Sequence, residues 1–360
     1  MIPDEPGNPS QPQPGDDLLP DSPIPGERVD AAESHIREIL ATAIGHGPSH
    51  QAVVVSDGRC ALAAALAEAY RRCLPEARFI DFDGVTPEAV LAAFAPLKPS
   101  DLVVLIQSTS FRLEAFRIRV ELFKRELKVI EHPHLFRMRG MEAAWYIDSL
   151  AYDADYYRGI GHGLKRRIDA ARSGTVDSGG ERLVFASPFE SAKLNVGDYR
   201  GMKNVGGQFP IGEVFTESRD LNAVGGRLRI FAFADVSFRV DKPGKPITLV
   251  IAKGRVEAAL DSTPGFDQVL ANIRADEGEV RVRELGFGMN RAFTPDRIVG
   301  DVGTYERMCG IHLSLGSKHA VYPKPGISRR EVRHHVDVFA VTESVSLDDA
   351  VVFRDGRWTP

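Results

Sequence analysis

Cysteine is scarce in this 360-residue chain: Cys60, Cys73 and Cys309 are an odd number and contain no Cys-x-x-Cys pair. That argues against a disulfide framework and against a cysteine-bound zinc ion, and it suits a reducing, cytoplasmic setting. No apolar run approaches the ~20 residues that span a bilayer, and the N-terminus lacks the basic-then-apolar order of a secretion signal. No membrane partner is therefore expected. Neither sign of charge dominates: 45 Lys and Arg face 50 Asp and Glu, for a formal net charge of -5. A chain so balanced has no blanket attraction for nucleic acid. A Gly-x-Ser-x-Gly elbow and a Walker loop are also missing, so neither a serine hydrolase nor an NTPase is supported. There is no internal repeat.

What remains is ordinary globular composition, 43% hydrophobic and 26% charged, in a chain long enough for two domains. Residues 1–27 hold eight of the 23 prolines and almost no aliphatic cluster, and read as a disordered tail. From 28 to 175 buried strands alternate with helices. Strands are expected at 51–56, 101–107 and 128–130, helices at 60–74, 111–126 and 158–172, with Asp57-Gly58-Arg59 as a turn. This pattern implies an α/β domain with a mostly parallel sheet. Gly159-Ile-Gly-His-Gly163 has neither the preceding strand nor the glycine spacing of a nucleotide loop, and reads as a loop leading into a helix. His132-Pro-His134 follows an apolar strand with only Glu131 for company, which favours a structural role over a ligand one.

Beyond 175 the pattern changes to short alternating runs at 182–185, 227–233, 247–251, 280–283 and 336–341, separated by Lys-Pro-Gly, Lys-Gly-Arg and Asp-Gly-Arg turns. Residues 176–360 are accordingly expected to form a β-rich α+β domain. It holds the residues richest in chemistry. Glu213, Glu284, His312, His335 and Asp337 each sit in an apolar or Gly-rich segment, which is hard to reconcile with a solvated surface. Two glutamates, an aspartate and two histidines combine the hard oxygen donors and directional imidazoles that divalent ions take. His335-Val336-Asp337 has period two, so on a strand both side chains point one way. His312 is expected at a strand edge, and Glu284 at the start of a turn through Gly286 and Gly288. Taken singly each has a bland reading: a His-x-Asp strand-face hydrogen bond, a half-buried histidine, a loop carboxylate.

The segments around these residues resemble those of the thermophilic metallo-aminopeptidases, the aminopeptidase T group. The matching stretches are Asn204 to Thr216, containing Gly-Glu213-Val-Phe-Thr; Glu284-Leu-Gly-Phe-Gly-Met-Asn290; Glu306 to Gly316 around His312; and His335-Val-Asp337. They occur in the family's order over roughly residues 180–345, while the first 170 agree only in α/β character. The resemblance implies that Glu213, Glu284, His312, His335 and Asp337 hold two divalent ions (Zn, Co, Mn or Mg), with Glu213 and Glu284 at the catalytic centre. It implies a homodimer acting on peptides or small amides through a water shared by the two ions. The family has a tyrosine ligand where this chain has His319, with Tyr322 three residues on; either is open as a further ligand. Glu306 and Glu217 are the nearest candidates for a proton shuttle, and Arg291 and Arg329 for binding a substrate carboxylate.

A second scaffold of similar length is 2,5-dihydroxypyridine dioxygenase, which resembles the same fold but holds one Fe(II) through two histidines and an aspartate. That enzyme lacks both glutamates, whereas this chain keeps Glu213 and Glu284. His312, His335 and Asp337 would still form its two-histidine, one-carboxylate set, and a non-catalytic relative is the third reading. Arg329, Arg330 and Arg333 beside His334 form too small a basic cluster for a nucleic-acid footprint.

Overall fold

The structure is a computed structural model describing residues 22–111, 118–327 and 332–360. In chain order the elements are α1 (Gly26–Glu38), β1 (Ala52–Ser56), α2 (Ala61–Cys73), β2 (Arg78–Asp81), α3 (Pro87–Phe94), β3 (Leu102–Ile106), α4 (Ile118–Lys124), β4 (Lys128–His132), α5 (Met141–Ser149) and α6 (Ala154–Ala170). There follow β5 (Gly174–Ser178), β6 (Glu181–Phe185), β7 (Lys193–Asn195), β8 (Gly206–Gln208), β9 (Glu213–Glu217), β10 (Val224–Ala234), β11 (Val240–Asp241), β12 (Ile247–Ala252) and β13 (Arg255–Leu260). The chain ends with α7 (Pro264–Glu277), β14 (Val282–Gly288), α8 (Val302–Tyr305), β15 (Gly310–Leu315), β16 (Val336–Ala340), β17 (Ser344–Leu347), β18 (Ala350–Arg354) and β19 (Arg357–Trp358). Two compact units result: the described residues through Asp155 with Gly197–Ile211, and Tyr156–Val196 with Gly212–Pro360.

The first unit is α/β. Its five strands run in the order β2-β1-β3-β4-β8, every pair parallel. β1 and β3 are Val- and Leu-rich and buried along almost their whole length, as strands covered by helices on both faces must be. Val53, Val55, Val103, Leu105 and Val129 pack with Phe94 of α3 into one core. Helix α3 starts where Thr86 accepts a hydrogen bond from the Ala89 amide (3.3 Å), with Pro87 in the first turn, where its missing N–H costs nothing. The fifth strand depends on glycine. Gly206 has φ +91°, and a Cβ there would stand 1.9 Å from the Val129 carbonyl oxygen. The helix expected at 111–126 is described from Ile118; residues 112–117, like the tail through residue 21, lie outside the described residues.

His132, at the end of β4, is a structural histidine. Its Nε2 lies 2.9 Å from the Tyr70 hydroxyl and its Nδ1 2.8 Å from that of Tyr146. Tyr146 donates its own proton to the Phe209 carbonyl (3.1 Å), so Nδ1 carries the hydrogen and Nε2 accepts from Tyr70. Complete burial pushes the imidazole's pKa down to about 3.

The second unit is β-rich. Eleven strands form the path β19-β18-β17-β5-β6-β10-β16-β15-β14-β9-β7; β11 and β12 also pair with β10, and β13 with β12, giving fourteen among the described residues. All their pairings are antiparallel. Two local expectations are corrected. Gly159-Ile-Gly-His-Gly163 lies inside α6, where its glycines serve close packing: a Cβ on Gly161 would meet Val196 at 2.6 Å and one on Gly163 would meet Pro360 at 2.7 Å. Gly286 and Gly288 belong to β14, whose seven residues are all buried, and do not form a turn. Among the described residues no helix is long and apolar enough to cross a membrane.

The neutral His132 generates a pH dependence. The unfolded chain takes up a proton at this residue below pH ~6.5 while the folded chain resists it to about pH 3. The stability it contributes is therefore complete above pH ~6.5 and falls as pH drops through that window, by at most ~1.4 kcal/mol per unit. Urea unfolding of the first unit at pH 7 and pH 5 is expected to show a smaller difference in His132→Gln than in the wild type.

Candidate metal centre

Four neighbouring strands, β9, β14, β15 and β16, build the site, and their register decides which side chains meet. Residues paired across an antiparallel ladder share a face, as does every second residue along a strand. Gly288 pairs with Glu213, Gly286 with Phe215 and His312, and Ser314 with Asp337. Glu213, Glu284, His312 and Asp337 therefore project from one face. His335 stands one residue before β16 and two before Asp337, on the same side.

The geometry brings three of these together closely. His312 Nε2 lies 3.3 Å from Glu213 Oε1 and 3.4 Å from Glu284 Oε1, and one donor atom from each residue falls within 4.8 Å of the others. All three residues are buried. His312 lies in the middle of β15, not at a strand edge as the sequence suggested. Gly286 explains why there is room: a Cβ on it would stand 2.0 Å from the His312 ring. Gly288 likewise admits the Met308 carbonyl oxygen, which a Cβ would meet at 1.9 Å. The Ser314 hydroxyl accepts from the Glu284 amide (2.9 Å) across the ladder.

His335 and Asp337 form a second pair, with Nε2 to Oδ1 at 3.2 Å. The His335 Nδ1 lies 3.0 Å from the Lys318 carbonyl oxygen, so Nδ1–H donates there and Nε2 is the nitrogen that faces Asp337. Of the two further candidates, His319 reaches the cluster: its Nε2 is 2.9 Å from Glu284 Oε2, and its ring is 6.1 Å from that of His335. Tyr322 turns its hydroxyl to the Ser191 carbonyl (2.7 Å).

Charge governs this group. Burial works against a charged His312, but Glu213 and Glu284 outweigh it and push its pKa up to about 10. Burial similarly opposes a charged His335, yet Asp337 and Glu284 push it up to about 9. Burial would raise the Glu284 pKa, but His312 and His319 hold it below the usual carboxylate range. The three carboxylates thus draw protons onto imidazoles, which is the behaviour of a cluster short of positive charge. Several buried polar atoms also make no well-aligned hydrogen bond: both ring nitrogens of His319, His312 Nδ1 and Asp337 Oδ1. The 2.9 Å approach of His319 to Glu284 is close enough for a hydrogen bond but is not aligned for one. Buried carboxylates with imidazole nitrogens set among them, and negative charge met only by titratable groups, fit a divalent cation held by mixed oxygen and nitrogen donors.

The surroundings include residues that sequence reasoning passed over. Arg283, almost wholly buried, binds Glu217 through Nε and through Nη2 (3.3 Å), and also donates to the Ser317 (2.5 Å) and Tyr322 (2.9 Å) carbonyls. Lys324 Nζ lies 3.8 Å from the same carboxylate and 2.6 Å from Glu190. Glu217 is therefore tied up in ion pairs and is not a free proton shuttle. Glu306 pairs with the neighbouring Arg307, whose buried guanidinium also lies 3.7 Å from Glu213 Oε2. Arg291 is exposed and stacks 4.1 Å over the Tyr156 ring. Arg329 and Arg330 lie outside the described residues. Arg283 shows period-two alternation with charged neighbours, the usual mark of a solvated strand, and nothing local signals its burial.

No protein-family model and no curated protein sequence matches the chain. Solved structures do. 2,5-Dihydroxypyridine dioxygenase from Pseudomonas putida KT2440 superposes with a TM-score of 0.56 at 15% identity, over 94% of this chain and 98% of that one. AmpT from Thermus thermophilus, an aminopeptidase T, superposes with a TM-score of 0.55 at 13% identity, over 92% and 99%. The chain shares its fold with both, the family that its sequence segments resemble and the runner-up scaffold.

Two substitutions probe the packing described here. Glu217→Ala leaves the buried Arg283 without its carboxylate and is expected to cost ~3–5 kcal/mol in urea unfolding. Gly286→Ala is expected to displace the His312 ring, read as a shifted imidazole resonance by NMR with β12 and β13 amides unmoved.

Proposed function

We propose that the chain is a metal-dependent hydrolase of the aminopeptidase type, removing N-terminal residues from peptides or cleaving small amides. The observation that carries this reading is the single imidazole nitrogen of His312 set between two buried carboxylates, Glu213 and Glu284, with Asp337 and further imidazoles alongside. In this reading Glu213, Glu284, His312, His335 and Asp337 hold up to two divalent ions (Zn, Co, Mn or Mg), and His319 takes the place of a tyrosine ligand.

Bound divalent ions supply Lewis acidity and a water acidic enough to deprotonate near neutrality. The chain's own residues do the rest. Lys318 fixes the His335 tautomer, leaving Nε2 as the donor. The buried faces of β14 and β15 keep bulk water from Glu284 and His312, which strengthens every charge interaction among them. Glu217 is held by Arg283 and Glu306 by Arg307, so neither is free to accept and return a proton. Assembly as a homodimer belongs to the same proposal, and sedimentation velocity checks it.

One observation favours a second reading. The third histidine beside Glu284 raises the nitrogen share of the donor set, and His312, His335 and Asp337 alone make the two-histidine, one-carboxylate set of mononuclear Fe(II) oxygenases.

Elemental analysis of chelator-free protein separates the two. Two ions per chain, with affinity at least ~10-fold weaker in Glu213→Ala and Glu284→Ala, are expected for the hydrolase, together with release of amino acids from aminoacyl anilides or dipeptides. One iron per chain, indifferent to those glutamates and coupled to oxygen uptake with a dihydroxypyridine, would overturn it. Chelation is expected to abolish turnover and to lower stability by ~2.7 kcal/mol relative to protein in 100-fold excess of metal over Kd.

A further inference from the structure

Helix α7 ends on a carboxylate that holds two distant segments at once. Glu277 Oε2 accepts from the Ser317 amide (2.7 Å), and Oε1 accepts from the amides of Arg333 (2.8 Å) and His334 (2.9 Å). Ser317 stands two residues before His319, and His334 immediately precedes His335. The two segments also bind each other: the Lys318 amide donates to the His334 carbonyl (2.9 Å) and His335 Nδ1 to the Lys318 carbonyl (3.0 Å). Their approach requires Gly316, which has φ +101° and where a Cβ would meet the His334 carbonyl oxygen at 2.4 Å. Asp276, the preceding helical residue, lies 2.7 Å from His334 Nε2.

A glutamate is poorly suited to the last turn of a helix, where the carbonyl ends of the peptide dipoles already concentrate negative charge. Here it is compensated by three charge-assisted hydrogen bonds from backbone N–H groups that lie beyond the β15–β16 ladder and would otherwise need other acceptors. We propose that Glu277 is a positioning residue of the candidate metal centre: a carboxylate clamp that fixes, through the backbone, the segments carrying His319 and His335. Glu277 touches none of the donor atoms itself. It acts by holding the amides that set where His319 begins and which way the Lys318 carbonyl faces His335. The consequence for ion affinity rests on the metal-centre reading; the clamp itself does not.

Hydrogen exchange of the metal-free full chain and titration with Zn(II) or Co(II) test the two parts separately. Glu277→Ala is expected to speed exchange at Ser317, Arg333 and His334 by at least ~10-fold, leave β12 and β13 amides unchanged, and weaken ion binding by ~10–100-fold, as losing an outer-layer partner does. Glu277→Gln keeps one acceptor oxygen and turns an N–H group toward the other segment, so it should fall between wild type and Ala in both readouts. It carries the test alone should the alanine variant not fold. Unchanged exchange at those three amides overturns the clamp, and faster exchange with undiminished affinity overturns its role in the centre. A wild-type chain that binds no ion removes the metal reading, and faster exchange confined to the three amides then still upholds the clamp.

Discussion

Carboxylates buried together on one sheet face are stable only where positive charge stands among them, and this demand organises the second unit. Glu213, Glu284 and Asp337 are each almost fully buried, and in the chain by itself the charge comes from His312 and His335, whose imidazoles are drawn to the protonated form. A divalent ion meets the same demand without a proton. Binding of such an ion and deprotonation of the histidines are thus two sides of one equilibrium, so uptake of metal should release protons.

The same accounting is repeated one layer out with fixed charges. Glu217 faces Arg283 and Lys324, and Arg307 faces Glu306 and Glu213. These pairs are permanent, whereas the inner cluster depends on titratable partners. An isolated buried ion pair is weak grounds for stability, since desolvation offsets much of the attraction. Its more evident effect here is geometric: Arg283 joins β14 to the Ser317 and Tyr322 carbonyls, on the segment that also carries His319.

Much of this was legible in the sequence. The aliphatic strands β1 and β3, the helix at 61–73 and the change to alternating runs after residue 175 follow from periodicity, because burial on two faces and on one leave different patterns. The residues that meet at the centre could be named because each sits in an apolar or Gly-rich segment and those segments resemble, in order, the aminopeptidase T group. Their environment could not. Gly286 and Gly288 read as turn residues because glycine's local signal is conformational freedom, while its use here is to leave space for a ring and a carbonyl from neighbouring strands. Gly161 and Gly163 misled in the same way inside α6. Arg283 and Glu277 look like solvated charges, since their partners lie dozens of residues away and no local pattern encodes register.

The path of the backbone between the units has a practical bearing on how the protein can be divided. Residues Gly197–Ile211 leave the β-rich unit to supply the outermost strand of the parallel sheet, then return two residues before Glu213. A fragment ending before Gly197 would strip the Val129 amide of the Val205 carbonyl (3.0 Å) and the Glu131 carbonyl of the Phe209 amide (2.9 Å), and would empty the place of buried Phe209 beside His132. It would expose β4 as a raw sheet edge, open to pairing with other chains. The parallel-sheet unit is continuous in space but not along the gene product, so neither half of the polypeptide can be expressed as a faithful stand-in for one unit without grafting that fifteen-residue excursion.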